Sequence, residues 1–294
     1  MVRVLDGIDE LPPGLRFVAT VGVFDGVHTG HLHVLGALSR QAAELSAVPV
    51  AITFEPHPQA VVTGRTPDLI CDPDEKLGRI GEAGAELVVV QRFDEAFRAQ
   101  TAEEFLERLA QGRDLAGLVM SHESAFGRDR QGTVDTVQRL AARDGWQLVE
   151  IDTLEVDGAP VSSSRVRAAV GAGDLVAAER LLGRRYAITG TAEAVGDGWW
   201  SLEPAAPYAM PPAGSYAITA SWDPGGAAPG SARIDGHGRL SIADGPGGSG
   251  EPVRIRVEFW GPAPGSDIAH RTTIGLWSGD AADGQGPRGT DHDP

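Results

Sequence analysis

Short β-prone runs alternate with helical patterns from the N-terminus to about residue 182, and this alternation constrains the fold more than any other feature of the sequence. It is typical of parallel βαβ units, in which a helix crosses back over the sheet between two strands. The strand candidates are residues 16–23, 48–54, 87–91, 117–120 and 147–151. The helix candidates, with aliphatic residues three and four apart, are residues 31–46, 73–82, 102–111 and 133–144. The sequence therefore predicts an α/β domain over residues 1–182, with an open parallel sheet and helices on both faces.

The composition changes beyond Gly183, where glycine and proline become dense. Three β-prone runs, "GSYAITASW", "ARIDGHGRLSIA" and "PVRIRVEFWG", are separated by turn signals. This pattern predicts a small antiparallel β-barrel or sandwich over residues 183–277. The last segment, 278–294, is polar and rich in Gly and Asp without periodicity, so we expect a disordered tail there.

The formal net charge of −16 restricts the partners of this chain. Binding to nucleic acid or to an anionic membrane depends on a positive field, so we expect neither partner. No apolar run approaches the roughly 20 residues of a membrane-spanning helix, and the N-terminus lacks the layout of a signal peptide. We therefore expect a soluble cytoplasmic protein that holds any phosphate-bearing ligand with a local cluster of donors. Nothing in the sequence indicates an oligomeric state.

The stretch "VGVFDGVHTGHLHVL" places two histidines where a strand passes into a helix. Parallel sheets bind ligands beyond the carboxyl ends of their strands, where this turn is predicted to lie. Gly26 and Gly30 allow unusual dihedral angles and a close approach to a ligand. The helix start adds free N–H groups that suit a phosphate, and His28 and His31 can donate hydrogen bonds to it. Two surface histidines beside a turn, or a zinc pair without an obvious third ligand, are the alternatives.

The stretch "VSSSRVRAAV" gathers three hydroxyls and two arginines at the start of another helical pattern. Serine is a favoured N-cap residue, so an ordinary capped helix with solvated arginines explains part of it. Ser162, Ser163 and Ser164, followed by Arg165 and Arg167, exceed what a cap needs. Hydroxyl, helix N–H and guanidinium donors in one place suit a triphosphate.

Four stretches match, in order, the motifs of one known family. "GVFDGVHTGH" resembles Gly-x-Phe-Asp-Gly-Val-His-x-Gly-His, "TFEPHP" resembles Phe-x-Pro-His-Pro, and "VSSSRVR" resembles Ile-Ser-Ser-Thr-x-x-Arg. "LLGRRYAITGTA" is similar to the junction that leads into a kinase module. The sequence thus resembles the prokaryotic bifunctional riboflavin kinase/FMN adenylyltransferase family, the FAD synthetases, from about residue 14 to residue 192.

The resemblance implies a Rossmann-like nucleotidylyltransferase domain, followed by a β-barrel, that converts ATP and FMN to FAD and pyrophosphate with Mg²⁺. It implies that His28 and His31 contact the ATP phosphates as catalytic residues. The other implied ATP-binding residues are Gly22, Val23, Phe24, Asp25, Gly26, Gly30, Ser162, Ser163, Ser164 and Arg167. The implied flavin-side residues are Phe54, Pro56, His57, Pro58, Glu123, Phe126 and Gly127. The partners are then ATP and FMN, and no protein ligand for a metal is indicated.

The loop "SHESAFG" departs from the family pattern Gly-Glu/Asp-Asn/Asp-Phe-x-Phe-Gly. Glu123 stands where Asn or Asp is usual, and Ser124 replaces an aromatic residue that could pack against a flavin. Two alternatives therefore stay open. One is a nucleotidylyltransferase of the same fold with a different phosphate acceptor, and the other is a flavin- or nucleotide-binding protein without catalysis.

The kinase module of the family carries a Gly-x-Pro-Thr-Ala-Asn motif, and no Pro-Thr-Ala-Asn occurs in this sequence. The corresponding stretch reads "AVGDGWWSLEPAAPYAMPPAGSY". Glu258 falls where the family has an acidic residue, but without the lost loop we interpret it as a charge on a strand face. We therefore expect a degenerate kinase-like barrel without riboflavin kinase activity.

Overall fold

The first part of the chain forms a six-stranded sheet in which all neighbouring strands are parallel. The structure is a computed structural model that describes residues 2–222, 225–243, 245 and 252–263. The strands are β1 (Arg3–Asp6), β2 (Arg16–Val21), β3 (Val48–Glu55), β4 (Leu87–Arg92), β5 (Asp114–Ser121) and β6 (Gln147–Ile151). Their spatial order is β1-β4-β3-β2-β5-β6. The order reverses between β2 and β5, and an open parallel sheet binds ligands at such a reversal.

Eight α-helices occur among the described residues. They are α1 (Thr29–Glu44), α2 (Pro58–Thr63), α3 (Pro73–Glu82), α4 (Glu95–Arg98), α5 (Ala102–Ala110), α6 (Val134–Asp144), α7 (Ser163–Ala172) and α8 (Leu175–Leu182). Leu35 and Leu38 of α1 and Ile80 of α3 belong to the apolar core on one face of the sheet. Helices α5 and α6 contribute Phe105 and Val137 to the core on the other face. The predicted open parallel sheet with helices on both faces is confirmed.

Several elements differ from the sequence-based expectations, and three of the differences lie at the edge of the sheet or beside the histidine-rich turn. Strand β1 was not predicted, because only one of its four residues is buried and its pattern carries little signal. Strand β2 ends at Val21, two residues early, because the chain turns at Phe24, which has φ 52°. Helix α1 begins at Thr29 rather than at residue 31, because the imidazole of His28 accepts a hydrogen bond from the His31 N–H and caps the helix. Histidine is not among the favoured N-cap residues, so this cap could not be predicted from the residue type.

The second part of the chain is a closed antiparallel β-barrel. A two-stranded hairpin of β7 (Glu155–Val156) and β8 (Ala159–Pro160) precedes α7. The barrel strands are β9 (Ala187–Gly196), β10 (Trp199–Pro204), β11 (Gly214–Trp222), β12 (Gly226–Ile234), β13 (Leu240–Ala243) and β14 (Val253–Pro262). The six strands close in the order β10-β13-β12-β11-β14-β9. The barrel alternative is thus confirmed over the sandwich. The predicted tail, 278–294, and residues 264–277 lie outside the described residues.

The barrel and the α/β part share one apolar core. Val166 and Val170 of α7 and Leu181 of α8 pack in the same buried cluster as the barrel residues Tyr186 and Phe259. The segment before α3 also joins the barrel through backbone hydrogen bonds at Leu69. The Leu69 N–H donates to the Pro207 carbonyl at 2.7 Å, and the Ala209 N–H donates to the Leu69 carbonyl at 2.9 Å. Within the described part of the chain, every helix is too short or too polar to span a bilayer.

Candidate active site

The histidine turn, residues 22–31, lies at the carboxyl end of β2, and its two imidazoles stack. The ring centroids of His28 and His31 are 3.6 Å apart, with 14° between the ring planes. Nδ1 of His28 accepts a hydrogen bond from the His31 N–H at 3.2 Å. A neutral imidazole that accepts at Nδ1 carries its proton on Nε2. His28 is therefore set up as an Nε2–H donor.

Both imidazoles are neutral at pH 7. Burial and, to a smaller extent, the charge of the nearby Arg184 guanidinium lower the pKa of His28 to about 4. Burial also holds the pKa of His31 well below its ordinary value, with smaller contributions from His28 and Lys76. The Nδ1 atom of His31 is enclosed and has no hydrogen-bond partner among the described residues. The pair thus provides neutral hydrogen-bonding groups rather than fixed charge.

The backbone of the histidine turn is tightly constrained. Phe24 and Val27 have positive φ angles of 52° and 39°, and Gly26 has φ 77°. A Cβ atom on Gly26 would lie 2.6 Å from Cγ2 of Ile70, so only glycine fits there. The Phe24 ring packs edge-on against His31, with the centroids 5.2 Å apart. These contacts fix the position from which the two histidines project.

The start of α7 meets the histidine turn, although 138 residues separate Asp25 and Ser163 in the sequence. The Ser163 hydroxyl donates to the Asp25 carbonyl at 2.9 Å, and Ser162 caps the helix by accepting from the Arg165 N–H at 3.3 Å. Arg167 forms an ion pair with the buried carboxylate of Asp25. The two motifs that the sequence separated therefore form one structural unit. Ser164, in contrast, is exposed on α7.

The structure places the guanidinium of Arg165 against the β7–β8 hairpin and outside the lining of the cleft described below. Its guanidinium donates to the carbonyls of Ala159 and Pro160 at 2.6 and 2.7 Å and to that of Val156 at 3.0 Å. These bonds hold the β7–β8 hairpin against α7. Three backbone acceptors occupy the guanidinium, so it has a structural role.

A polar cleft of about 450 Å³ opens beside the two histidines. It lies at the carboxyl ends of β2 and β5, where the strand order reverses. Its lining residues come from the end of β2, the histidine turn, the loop after β5, the chain after β6 and the start of α7: Thr20, Val21, Gly22, Val23, Phe24, His28, Gly30, His31, His33, Val34, Phe54, Ser121, Glu123, Ser124, Ala125, Phe126, Arg130, Asp152, Thr153, Leu154, Val161, Ser162 and Ser163. Four of the implied ATP-binding residues lie outside this lining, namely Asp25, Gly26, Ser164 and Arg167.

An aromatic pocket, also of about 450 Å³, adjoins the polar cleft. Five phenylalanines line it, and neighbouring ring centroids lie 5.5 to 5.7 Å apart: Phe54, Phe93, Phe97, Phe105 and Phe126. The polar cleft and the aromatic pocket share six lining residues, namely Val21, Val23, Phe54, Ala125, Phe126 and Arg130. The two spaces are therefore parts of one cavity, polar at one end and apolar at the other.

The implied flavin-side residues divide between these spaces. Pro58 and Gly127 line the aromatic pocket, whereas Glu123 lines the polar cleft. Pro56 and His57 line neither space. Nδ1 of His57 instead accepts a hydrogen bond from the Gln59 N–H at 3.1 Å and caps α2.

The loop after β5 packs against the start of α5 through Gly127. This glycine has φ 74°, and a Cβ atom on it would lie 2.6 Å from the Ala102 nitrogen. The next residue, Arg128, donates its N–H to the Gln100 carbonyl at 2.7 Å. At the other end of the loop, the hydroxyls of Ser121 and Ser124 are 2.6 Å apart. The loop that replaces the usual family sequence is thus anchored at both ends.

Sequence reasoning missed three of the pocket phenylalanines, Phe93, Phe97 and Phe105. Their signal was available, because "RFDEAFRAQTAEEF" places three aromatic residues directly after a strand of the sheet. It also missed Lys76 on α3, which is half-buried. Burial lowers the pKa of Lys76, while the carboxylates of Glu55 and Asp25 act in the opposite direction. Lys76 forms no ion pair within the part of the chain that the structure describes.

The described residues include no group of three or more His, Cys, Asp or Glu side chains placed to hold a metal ion. A zinc site at His28 and His31 needs a third ligand, and none of the described residues supplies one there. The zinc alternative therefore has no support from the described residues.

The fold and the site together define a class of protein. It is a Rossmann-like α/β domain, with a polar cleft at the reversal of its strand order, joined to a closed antiparallel barrel. The sequence model of the FAD synthetase family matches residues 14–165. The chain belongs to the FAD synthetase family.

Two relatives are bifunctional riboflavin kinase/FMN adenylyltransferases. The protein from Pseudomonas fluorescens is 35% identical over 191 residues, which cover 64% of this chain and 61% of that protein. The protein from Bacillus subtilis (strain 168) is 31% identical over 216 residues, which cover 70% of this chain and 67% of that protein. The aligned part of this chain thus spans about three fifths of the length of the first relative.

A solved structure of a macrolide-efflux protein from Streptococcus pneumoniae has the same overall fold. It superposes with a TM-score of 0.78, covers 90% of this chain and 91% of its own, and is 19% identical. The agreement extends over both the α/β part and the barrel, because the coverage exceeds the length of either part.

Proposed function

We propose that this chain is an FMN adenylyltransferase, which transfers AMP from ATP to FMN and so forms FAD and pyrophosphate. The observation that carries the proposal is the continuity of the polar cleft with the aromatic pocket through six shared residues. One substrate brings a triphosphate and the other a phosphate attached to a flat apolar ring system. The polar cleft suits the phosphates, and the five phenylalanines suit the ring.

The reaction needs no nucleophile from the protein. A phosphate oxygen of FMN attacks the α-phosphorus of ATP, the new P–O bond forms, and the bond to the β-phosphate breaks to release pyrophosphate. Catalysis then consists of positioning and of stabilising the charge on the departing pyrophosphate. The N-termini of α1 and α7 both face this region, and free N–H groups at a helix start favour an anion. In this proposal the Nε2–H of His28 donates to the pyrophosphate, and Ser162 adds a hydroxyl donor. Ser163, whose hydroxyl proton goes to the Asp25 carbonyl, contributes its N–H at the helix start.

Arg167 and Lys76 would supply the positive charge that the net charge of the chain does not. Arg167 is held beside the turn by Asp25, and the Lys76 ammonium lies in the field of the same carboxylate. Both cations therefore stand near the histidine turn before ATP binds. In the proposed reaction they hold the β- and γ-phosphates.

We treat Mg²⁺ as part of the Mg·ATP substrate. The described residues do not form a three-ligand cluster, and Mg²⁺ in nucleotide enzymes is held largely by the phosphates and by water. The chain's own contribution is to orient the phosphates that carry the ion.

The direct test is to incubate the purified full chain with FMN and Mg·ATP and to identify the products by mass spectrometry. We expect FAD and pyrophosphate in equal amounts. Phosphate monoesters without a flavin ring, such as nicotinamide mononucleotide, serve as competing acceptors. Release of pyrophosphate with one of these and not with FMN would show that the acceptor is wrong while the reaction class is right.

One observation favours this second candidate, a nucleotidylyltransferase with a different phosphate acceptor. Glu123 lines the polar cleft, and the adjacent Ser124 is paired with Ser121 instead of offering an aromatic ring. A carboxylate near the entering phosphate favours an acceptor that brings a positive group or several hydroxyls. Binding of ATP and FMN without any turnover, measured by calorimetry, would support the third candidate, a binding protein.

We further propose that residues 183–277 are a kinase-like domain that has lost riboflavin kinase activity, and that residues 1–182 are the adenylyltransferase domain. The stretch that lacks Pro-Thr-Ala-Asn runs through the β9–β10 hairpin and into the segment that pairs with Leu69. Its backbone is thus committed to the barrel wall and to the contact with the α/β part. With riboflavin and Mg·ATP we expect no FMN, under conditions in which the same sample converts FMN to FAD.

A further inference from the structure

We infer that the barrel positions the histidine turn through a relay of three charged side chains, Arg256, Glu75 and Arg184, here called the arginine relay. The inference rests on the proposed function only where activity is the readout. It assigns a positioning role to a barrel residue, Arg256, for a reaction that takes place in the α/β part.

The relay ends on the two carbonyls that precede His28. Arg184 lies between α8 and β9, and its guanidinium donates to the Gly26 carbonyl at 2.7 Å and to the Val27 carbonyl at 3.2 Å. Val27 is fully buried and has φ 39°, a conformation that a β-branched residue adopts only when its surroundings impose it. Two hydrogen bonds from one rigid guanidinium on either side of Val27 supply that restraint.

The middle of the relay is the carboxylate of Glu75 on α3, which three guanidinium groups share. Nε of Arg79 lies 2.6 Å from Oε1, Nε of Arg184 lies 3.6 Å from the same oxygen, and Arg256 binds Oε2. All four side chains are at most 28% exposed, so solvent screens them little. Burial raises the pKa of Glu75, but Arg256 and Arg79 outweigh burial and hold it below its ordinary value.

The barrel enters through Arg256, which projects from β14 toward α3. Its Nε lies 3.3 Å from Oε1 of Glu258, so two carboxylates hold the guanidinium between them. This contact gives Glu258 a function that does not depend on the missing kinase loop. In this inference a barrel without that loop still restrains the α/β part through Arg256.

The expected consequence of removing Arg256 follows from the sharing of Glu75. Without Arg256, Oε2 of Glu75 becomes available to Arg184, whose Nε already lies 3.6 Å from the carboxylate. We expect the guanidinium of Arg184 to turn toward Glu75 and to weaken its bonds with the Gly26 and Val27 carbonyls. The turn that carries His28 then loses its restraint, and a displacement of about 1 Å at a reacting group costs up to a hundredfold in rate.

The test compares Arg256→Met with Arg254→Met. Arg254 is on the same strand and the same outer face, but it is 61% exposed and lies 3.8 Å from Asp72. We expect Arg256→Met to lower kcat for FAD formation about tenfold with less change in KM, and Arg254→Met to stay within about twofold of the wild type. Arg256→Lys keeps the charge and restores part of the rate, which a loss of barrel packing does not predict.

A second readout does not need turnover. The Arg184 charge lowers the pKa of His28, so we expect Arg256→Met to raise the pKa of His28 from about 4 in an NMR titration of labelled histidine. Thermal unfolding checks that each variant is folded. If the wild type makes no FAD, the proposed function fails, and the titration still decides the relay. If Arg256→Met retains both the wild-type kcat and the wild-type titration of His28, the relay is overturned.

Discussion

The guanidinium of Arg167 on α7 is paired with the buried carboxylate of Asp25 in the histidine turn. Its Nε also donates to the Asp68 carbonyl at 2.7 Å. One side chain thus joins the turn before α1, the segment before α3 and the start of α7. Asp25 is only 6% exposed, and Arg167 is the cation paired with its carboxylate. Removing one partner of a buried ion pair leaves an uncompensated charge.

We predict that Arg167→Lys lowers kcat/KM for Mg·ATP by about ten- to a hundredfold. An ammonium group is a point charge and does not match the planar fork that now contacts Asp25 and Asp68 together. Steady-state kinetics with varied ATP measures the effect. Arg180→Lys on α8 is the control, because Arg180 pairs with Asp157 on the surface and both are more than half exposed. Equal activity of the two variants would remove Arg167 from the ATP site.

We predict that His28 makes the protein less stable in acid. Its pKa is about 4 in the folded chain and about 6.5 when unfolded. The unfolded state therefore binds a proton in this range that the folded state does not bind, so stability is complete above about pH 6.5 and falls as the pH drops toward 4. In urea unfolding between about pH 6 and pH 4.5, the free energy of unfolding of the wild type should fall with decreasing pH by up to about 1.4 kcal/mol per pH unit more than that of His28→Asn. Asparagine preserves the helix cap, so parallel slopes would contradict the lowered pKa rather than report a lost cap.

The sequence predicted the parallel sheet well because its pattern is local. The runs at residues 48–54 and 87–91 are apolar on both faces, and the structure buries them between two layers of helices. The turn with His28 and His31 was also predicted, because glycines beside two histidines at a strand end form a compact signal. Strand β1 was missed because an edge strand with one buried residue has almost no hydrophobic pattern that could reveal it.

The rest of the site could not be predicted, because it depends on contacts between distant segments. Arg165 binds backbone carbonyls, whereas Arg167, two residues later in the sequence, pairs with Asp25. Nothing in the local sequence distinguishes these two arginines. Likewise, Glu75 reads as an ordinary helix charge until folding brings Arg184 and Arg256 to it, across 109 and 181 residues. Such partners are determined by the packing of the barrel on α3 and not by any periodicity.

We predict that Gly127→Ala is more damaging than Gly112→Ala. Both glycines have φ near +70°, so each alanine costs about 1 to 2 kcal/mol of backbone strain. A Cβ atom on Gly112 meets nothing within 4 Å, whereas one on Gly127 would lie 2.6 Å from the Ala102 nitrogen. Gly127→Ala should therefore lower the free energy of unfolding by about 1 kcal/mol more and also raise KM for the acceptor. Identical unfolding curves for the two variants would show that the loop does not pack on α5 as described.

We predict that Phe97→Ala affects the acceptor and not ATP. The Phe97 ring packs against Phe54, Phe93 and Phe105 in the aromatic pocket, with centroids 5.7 Å apart. Removing it enlarges the pocket and takes away ring contacts, so KM for FMN should rise about tenfold or more while KM for ATP stays within about twofold. Val62→Ala at the exposed rim of the same pocket is the control and should change neither value much. A matching rise in KM for ATP would place the adenine, rather than the flavin, among the phenylalanines.

We predict that Lys76→Met raises KM for Mg·ATP about five- to tenfold. Lys76 is the only lysine among the 25 Lys and Arg residues of the chain, and it lies on α3 in the field of Glu55 and Asp25 rather than on the surface. Methionine has a similar length and fills the same half-buried space, so the change removes charge with little loss of packing.

The pKa of Lys76 can be measured separately, because the chain has one ε-amine and ¹³C reductive methylation therefore gives one lysine resonance. We expect this resonance to titrate below the ordinary value of 10.5. In Glu55→Gln, where the attraction of a carboxylate is gone, we expect the pKa to be lower still. Lys76→Arg keeps a positive charge and should retain more of the affinity for Mg·ATP than Lys76→Met does. If Lys76→Met keeps the wild-type KM, and if the lysine resonance of the wild type titrates at 10.5 or above, Lys76 is a helix residue with no part in holding the phosphates.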